Sequence, residues 1–249
     1  MSTDVARAAL ASLDALLADA PALATLLPHG WHAAAARYVE LLLEANARVN
    51  LTRVVTPEAI ARDHLLDALA ALPLLDDSGA RRVIDLGSGG GVPAIPLALA
   101  RPELEWVLVD SVGKKAEALR GFVAALELGR VTVLAERLEA LGRDPAHRER
   151  HDLATARACA PLPVLVELAL PLVRAGGALL AWKGPLGPAD AELRAGGAAG
   201  ATVGGGRPHV RPSGLATLGG RTLVTVAKLG PTPPRFPRRA GDPARRPLA

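Results

Sequence analysis

From Arg81 onward, short apolar runs alternate with longer segments of helical period, the pattern of a doubly wound parallel sheet. It predicts strands at 82–86, 105–110, 131–135, 152–157 and 177–183, with helices at 93–100, 113–128, 137–142 and 161–174. Gly129 stops the second of these helices. Ahead of this region the period is purely helical. Leucines at 10, 13, 16 and 17 mark a helix from Val5 to Ala18. Trp31, Ala35, Tyr38, Leu42, Ala45 and Val49, at steps of three and four, line one face of a second helix over 31–49. A third starts with Thr56 as N-cap and Pro57 at its first position, and places His64 and Asp67 on one surface. Beyond Gly184 the pattern weakens through Gly196, Gly197, Gly200, Gly204 and Gly206. A final alternating run, Thr222 to Ala227, predicts a last strand. With only a short hairpin before it and no crossover helix, it is expected to pair antiparallel. The chain therefore divides into a helical extension (1–80), an α/β domain with a Rossmann-like, mostly parallel sheet (81–230), and a tail (231–249).

The first strand runs into Asp85-Leu86-Gly87-Ser88-Gly89-Gly90-Gly91-Val92-Pro93. Strand, tight glycine turn and helix start form a nucleotide cradle, because the backbone approaches a ligand closely and the helix offers unpaired N–H groups. Dinucleotide enzymes favour a third glycine where Val92 stands. The spacing Gly87-x-Gly89-x-Gly91, with Asp85 ahead of it, instead resembles the first motif of S-adenosyl-L-methionine (AdoMet) methyltransferases. Asp110 ends the second strand, where a carboxylate can accept two hydrogen bonds from a ribose diol of either cofactor type. Glu139, just past the third strand, either borders an adenine or serves as a helix-start acid. Arg157 ends the fourth strand, at the carboxyl edge where ligands sit in open α/β sheets. On composition alone, His64 and Asp67 make a satisfied surface pair. Cys159 has no partner motif for covalent methylation of a pyrimidine carbon and fits a small buried thiol.

Composition narrows the function classes. Aromatic residues are only 2%, so Ala, Leu and Val must fill the core, and few rings are available to stack on single-stranded bases. The single cysteine excludes an internal disulfide and a cysteine zinc cluster, and the histidines show no metal spacing. No uncharged apolar run of membrane-spanning length and no signal peptide are found, which points to a cytoplasmic protein. The formal net charge of +4 equals that of residues 231–249 alone, where five arginines face Asp242. Either the tail presents arginines to phosphates, or it straps onto the domain and pairs them with acids.

The ordered set of motifs resembles the 16S ribosomal RNA guanine-N7 methyltransferases of the RsmG (GidB) type. The matching pieces are Val49-Asn50-Leu51-Thr52, His64-Leu65-Leu66-Asp67, the glycine loop through Pro93, Pro96-Leu97-Ala98 and Arg101-Pro102-Glu103. Asp110-Ser111-x-Gly113-Lys114-Lys115, Ala156-Arg157-Ala158, Lys183-Gly184 and Phe236-Pro237-Arg238-Arg239 follow in order. The resemblance implies a class I AdoMet-dependent fold and methyl transfer to N7 of a guanine in 16S rRNA, in its 530-loop region. It further implies AdoMet as cofactor and the RNA or small ribosomal subunit as partner; a monomer with no metal and no membrane association is expected. Gly87, Gly89, Gly91, Val92, Asp110, Ser111, Val112, Leu138, Glu139 and Arg157 are the implied cofactor contacts. Lys183, His64 and Asp67 match positions near the cofactor or the RNA and are the candidate RNA or substrate contacts. Ala94, Ala68 and Thr222 depart from the family pattern, and Thr222 puts a substrate role at that position in doubt. N7 carries an in-plane lone pair, so positioning suffices and no general base is called for. The competing functions are a small-molecule AdoMet methyltransferase, a nucleotide-dependent oxidoreductase, and a non-catalytic RNA-binding assembly factor.

Overall fold

A computed structural model of the chain describes residues 2–187 and 189–248. Helices α1 (Ser2–Ala18), α2 (Pro21–Ala24) and α3 (Trp31–Asn46) come first. Next is one continuous helical stretch: α4 (Pro57–Ala59), a π-helical segment (Ile60–Leu66) and α5 (Asp67–Leu69), followed by α6 (Leu72–Asp77). The sheet then begins, with β1 (Arg82–Leu86), α7 (Ala94–Ala100), β2 (Glu105–Val109), α8 (Gly113–Ala125), β3 (Val131–Leu134), α9 (Leu138–Leu141), β4 (His151–Arg157), α10 (Leu162–Ala169) and β5 (Val173–Lys183). After it come α11 (Ala191–Thr202), β6 (Gly205–Pro212), a 3-10 turn (Ala216–Leu218), β7 (Thr222–Lys228) and α12 (Asp242–Arg245). The strand order is β3-β2-β1-β4-β5-β7-β6. β1 to β5 are parallel, and β7 runs antiparallel to both β5 and β6.

The antiparallel last strand agrees with expectation, but the region before it does not. A helix, α11, and an edge strand, β6, stand where only a short hairpin was expected. α11 has no apolar stripe because it needs small residues: a Cβ at Gly196 would lie 2.5 Å from the Leu162 side chain. Its start is fixed instead by Asp190, whose side chain accepts the Glu192 N–H at 2.8 Å. α3 also ends earlier than its apolar face suggests. The Asn46 side chain turns back and accepts the N–H groups of Leu51 and Thr52, both at 2.9 Å, which ends the helix at that residue.

The sheet separates two cores. On one face α1, α3, α7, α8 and the π-helical segment bury Leu13, Trp31, Tyr38, Leu42, Leu65 and Trp106. On the other α10 and α11 cover Ile84, Leu165, Val166 and Leu179. Each fully buried Leu, Ile or Val contributes about 1.5–3 kcal/mol relative to exposure, so the Leu-rich helices, not the scarce aromatics, carry most of the burial.

The tail is a strap. Phe236 is buried in the second core, and Arg238 clamps the fully buried Glu167 carboxylate with contacts of 2.5–3.1 Å. Arg148 donates to the carbonyls of Thr232 and Phe236, each at 2.8 Å, and Arg143 to that of Pro237 at 2.9 Å. Prolines lack the N–H that could pair with a neighbouring carbonyl, so these arginines supply donors to the carbonyls of Thr232, Phe236 and Pro237. Arg238 pairs with the domain's Glu167, while Arg245 pairs with the tail's own Asp242. Of the two readings of the tail, its geometry is that of a strap.

At the amino edge of the sheet, His147 and His151 stack with ring centroids 5.8 Å apart. His151 is fully buried, and among the described residues neither ring nitrogen has a partner. Burial pushes its pKa down to about 4, with the Arg82 charge adding to the effect.

Candidate functional site

The glycine loop is held from two sides. On the sheet side, Ser88 N–H donates to the Val109 carbonyl at 2.9 Å, and Gly89 N–H donates to Asp110 Oδ2, also at 2.9 Å. From the helical side, the Tyr38 hydroxyl donates to the Gly90 carbonyl at 2.7 Å, and the Trp31 indole donates to Pro96 at 3.1 Å. Gly91 sits at φ +92°, and a Cβ there would meet Ile95 at 2.5 Å, so the turn admits no side chain at that position. Asp110 closes the second turn in the same way, accepting the Val112 N–H at 2.8 Å through Oδ1. β1 delivers Asp85 beneath the loop. Its Oδ1 accepts the Thr155 hydroxyl at 2.6 Å, while Oδ2 is buried with no partner among the described residues. Burial raises this carboxyl to about 6, against the pull of the Thr155 hydrogen bond.

At the end of β4, Arg157 organises the second half of the site. It donates to Asp67 Oδ2 at 2.9 Å, to the Asp63 carbonyl, and towards His64 Nδ1 at 3.3 Å. His64 Nε2 meets the Thr52 hydroxyl at 2.9 Å. Because Arg157 has only protons to offer, Nδ1 is the bare nitrogen and Nε2 carries the proton. Burial first, and then the Arg157 charge, hold the His64 pKa down at about 4, so the ring is neutral near pH 7. The π-helical turn from Ile60 to Leu66 sets this arrangement: the widened backbone lets Asp63, His64 and Asp67 all reach one guanidinium. Asp67 is fully buried, and its other oxygen accepts Arg221 Nε at 2.7 Å while its carbonyl accepts the Trp182 indole at 2.7 Å. Lys183 donates to the Ala160 carbonyl at 2.9 Å and to Glu192 at 2.7 Å.

Two cavities meet here. The smaller, about 180 Å³, lies between the glycine loop and the helical extension and is lined by Leu51, Thr52, Gly87, Gly89 and Val92. The larger, about 480 Å³, is lined by Val54, Cys159, Trp182, Lys183 and Arg221. His64, Arg157 and Ala158 border both, and Ala158 holds a positive φ of 53° at this junction. Backbone held in that sparsely populated region clusters at functional sites.

The structure thus brings Gly87, Gly89, Val92, His64 and Arg157 around the smaller cavity, with Gly91 packed behind the turn. Asp110, Ser111, Val112, Leu138 and Glu139 lie along the carboxyl ends of β2 and β3, lining neither of these two cavities. Val112 is exposed, a bare apolar side chain beside the Asp110 carboxylate, and Glu139 accepts the strap's Gly241 N–H at 2.9 Å. Lys183 lines the larger cavity, whereas Asp67 lines neither and holds Arg157 and Arg221. His64 and Asp67 are buried and meet through Arg157, so the exposed surface pair expected from composition does not form. Cys159 lies against the glycine turn, its sulfur 3.1 Å from where a side chain on Gly87 would begin, and burial lifts its thiol to about 11, the nearby Asp85 adding to this. Tyr38, Asn46, Thr155 and Arg221 belong to the site and were not singled out from sequence. Tyr38 carried a usable signal, since a tyrosine on a buried helix face needs a partner for its hydroxyl. Arg221 carried none.

The family model for GidB, rRNA small subunit methyltransferase G, matches residues 32–197, from α3 through the glycine loop to α11. The chain belongs to the GidB family. The ribosomal RNA small subunit methyltransferase G of Deinococcus deserti is 48% identical over 84% of this chain and 85% of its own length. That of Roseiflexus castenholzii is 46% identical over 86% of this chain and 90% of its own. Among solved structures, the S-adenosylmethionine-dependent methyltransferase SibL, 21% identical, superimposes with a TM-score of 0.52 over 79% of this chain and 70% of its own, a likeness of fold. This GidB protein is therefore an AdoMet-dependent rRNA methyltransferase. Its residues fit the cofactor: among the described residues the buried Asp85 Oδ2 has no partner, and an unpaired carboxylate oxygen suits an ammonium group.

Proposed function

We propose that this enzyme methylates N7 of a guanine in 16S rRNA, in the 530-loop region of the small subunit, acting as a cytoplasmic monomer. The observation that carries the reading is the meeting of the two cavities at His64, Arg157 and Ala158. When bound, AdoMet supplies a methyl group on a sulfonium, and the N7 lone pair takes it as the carbon–sulfur bond breaks, with no proton transferred. The glycine loop, Val92 and the free Asp85 oxygen hold the cofactor's amino-acid end, and Asp110, Ser111, Val112, Leu138 and Glu139 receive its nucleoside. The larger cavity takes the guanine.

The side chains lining that cavity suit a reaction without a base. His64 is neutral with both nitrogens engaged, Cys159 is held as a thiol, and Asp63 pairs with Arg62, which keeps its carboxyl below the usual range against the opposing effect of burial. Lys183 spends two of its three protons on Ala160 and Glu192. The third is free to meet guanine O6, which lies on the same edge as N7. Methylation leaves the guanine positively charged. Asp67 bridges Arg157 and Arg221, and Glu192 pairs with Lys183, so much of the lining's own positive charge is offset and that charge is tolerated. Asp67 acts as a positioning residue for the two arginines.

The test is methyl transfer from labelled AdoMet to small ribosomal subunits and to protein-free 16S rRNA, followed by borohydride–aniline scission, which cleaves at N7-methylguanosine. A single scission site in the 530-loop region is expected. Label incorporated without scission would move the reaction to another atom of the base.

A further inference from the structure

From Leu193 to Gly241, 49 consecutive residues, the chain contains no aspartate or glutamate, yet it holds seven arginines and Lys228. The structure uses some of these cations internally: Arg221 pairs with Asp67, Lys228 with Glu149 and Arg238 with Glu167. The Arg207 and Arg211 side chains on β6 have no ion-pair or hydrogen-bond partner among the described residues, and both residues are exposed. With His209 they occupy every second position of the edge strand, so they share one side of it, while Pro208 and Val210 between them are half-buried.

Register ties this stripe to the site. One row across the sheet runs Arg157–Trp182–Leu223–Arg211, and the next runs Thr155–Leu180–Thr225–His209. Residues in a row point to the same face. Arg211 therefore lies on the face of Arg157, three strand spacings away, or about 14 Å. The loop beyond β6 returns directly to the cavity, since Ser213 N–H donates to the Arg221 carbonyl at 2.9 Å. Along the stripe the face becomes progressively open: Leu223 is buried, Thr225 half-buried and Ala227 exposed.

We propose that the RNA strand flanking the target guanosine runs along this face of β6, with its phosphates on Arg207 and Arg211, and enters the larger cavity past Arg221. The proposal rests on the reading of that cavity as the guanine site. Side chains on alternate residues are about 7 Å apart, a step that an extended phosphodiester chain can follow. Unpaired guanidiniums on a carboxylate-free stretch give a continuous positive path that ends at the reacting base. This path replaces the tail as the source of long-range attraction, because the tail's backbone and Arg238 are bound to the domain and Arg245 pairs with the tail's own Asp242.

The test compares the double variant Arg207→Ala/Arg211→Ala with the wild type and with Arg239→Ala/Arg246→Ala, whose side chains are exposed on the strap. Binding to protein-free 16S rRNA is measured over a range of potassium chloride concentrations. Losing two single-strand phosphate contacts should flatten the slope of log affinity against log salt by about 1.4 and weaken binding about tenfold near physiological salt. AdoMet affinity and Tm should stay at wild-type values, and the strap variant should keep the wild-type slope. An unchanged slope in the β6 variant, or the loss appearing in the strap variant instead, overturns the proposal. So does an unchanged slope on free RNA combined with lost activity on intact subunits, which would put a ribosomal protein on this face. Wild-type methyl transfer run in parallel separates the two readings: if the wild type transfers no methyl, the guanine site itself is wrong, whereas transfer with an unchanged slope refutes only the strand path.

Discussion

Tyr38 offers the sharpest test of the idea that the helical extension is part of the cofactor site. Its hydroxyl donates to the Gly90 carbonyl at 2.7 Å, and its ring packs edge-on to Phe122 with centroids 6.0 Å apart. Burial raises its pKa, so it remains a donor at any working pH. Tyr38→Phe keeps the ring and deletes one oxygen. The orphaned Gly90 carbonyl is buried, which costs about 1–3 kcal/mol. At about 2–4 °C per kcal/mol for a chain of this size, Tm should fall by several degrees in a melting scan. The effect on AdoMet has a ceiling. Only the ordering of the glycine loop is shifted from folding to binding, so the loss cannot exceed the bond's net worth of about 0.5–1.5 kcal/mol, a rise in Kd of about 2- to 12-fold. Calorimetric titration with AdoMet and S-adenosylhomocysteine measures it. A lower Tm with Kd unchanged within twofold would show that the bond serves folding alone and would refute the coupling of α3 to the cofactor.

Asp110→Ala should weaken AdoMet binding by about 1–3 kcal/mol by calorimetry, because it removes the acceptor for Gly89 and Val112 as well as for the ligand; an unaltered affinity would displace the nucleoside from β2. Arg238→Ala should lower stability by about 3–5 kcal/mol in denaturant titration, since it strands the buried Glu167 carboxylate; a change below about 1 kcal/mol would mean the strap is loose. His151 has a folded pKa of about 4 against an ordinary value of 6.5, so its stabilising contribution is complete above pH 6.5 and is lost as pH falls towards 4. Between pH 8 and pH 5 this amounts to about 2 kcal/mol. His151→Phe should flatten the acid side of the stability profile by that amount, and an identical profile in the variant would place the titration elsewhere.

The parallel sheet was legible because buried strands between amphipathic helices leave a repeating hydrophobic signature, and the five strands from β1 to β5 lie where their apolar runs placed them, β5 starting four residues earlier. α11 was not legible, because a helix that packs through glycine and alanine carries no apolar period to detect. The glycine loop and the Arg157 position could be read locally, since each is a strand end with a distinctive residue. The Asp67–Arg157–Arg221 cluster could not. Asp67 and Arg221 are 154 residues apart, and the π-helical widening that turns His64 and Asp67 inward has no sequence signature of its own. The strap was half legible: prolines excluded helix and sheet, but the buried Glu167 that receives Arg238 looks in sequence like any other helical acid.

The poverty in aromatic residues gives the molecule an optical property. With only three tryptophans, each indole reports from a separate place. Trp182 lines the larger cavity with its N–H on the Asp67 carbonyl, Trp31 sits on Pro96 at the helix that follows the glycine loop, and Trp106 lies in the sheet beside His151 at the far edge. Single-tryptophan versions of the chain would therefore carry intrinsic emission that senses the base cavity, the cofactor loop and the distant edge independently. Filling of one chamber could be followed in real time without attaching a dye.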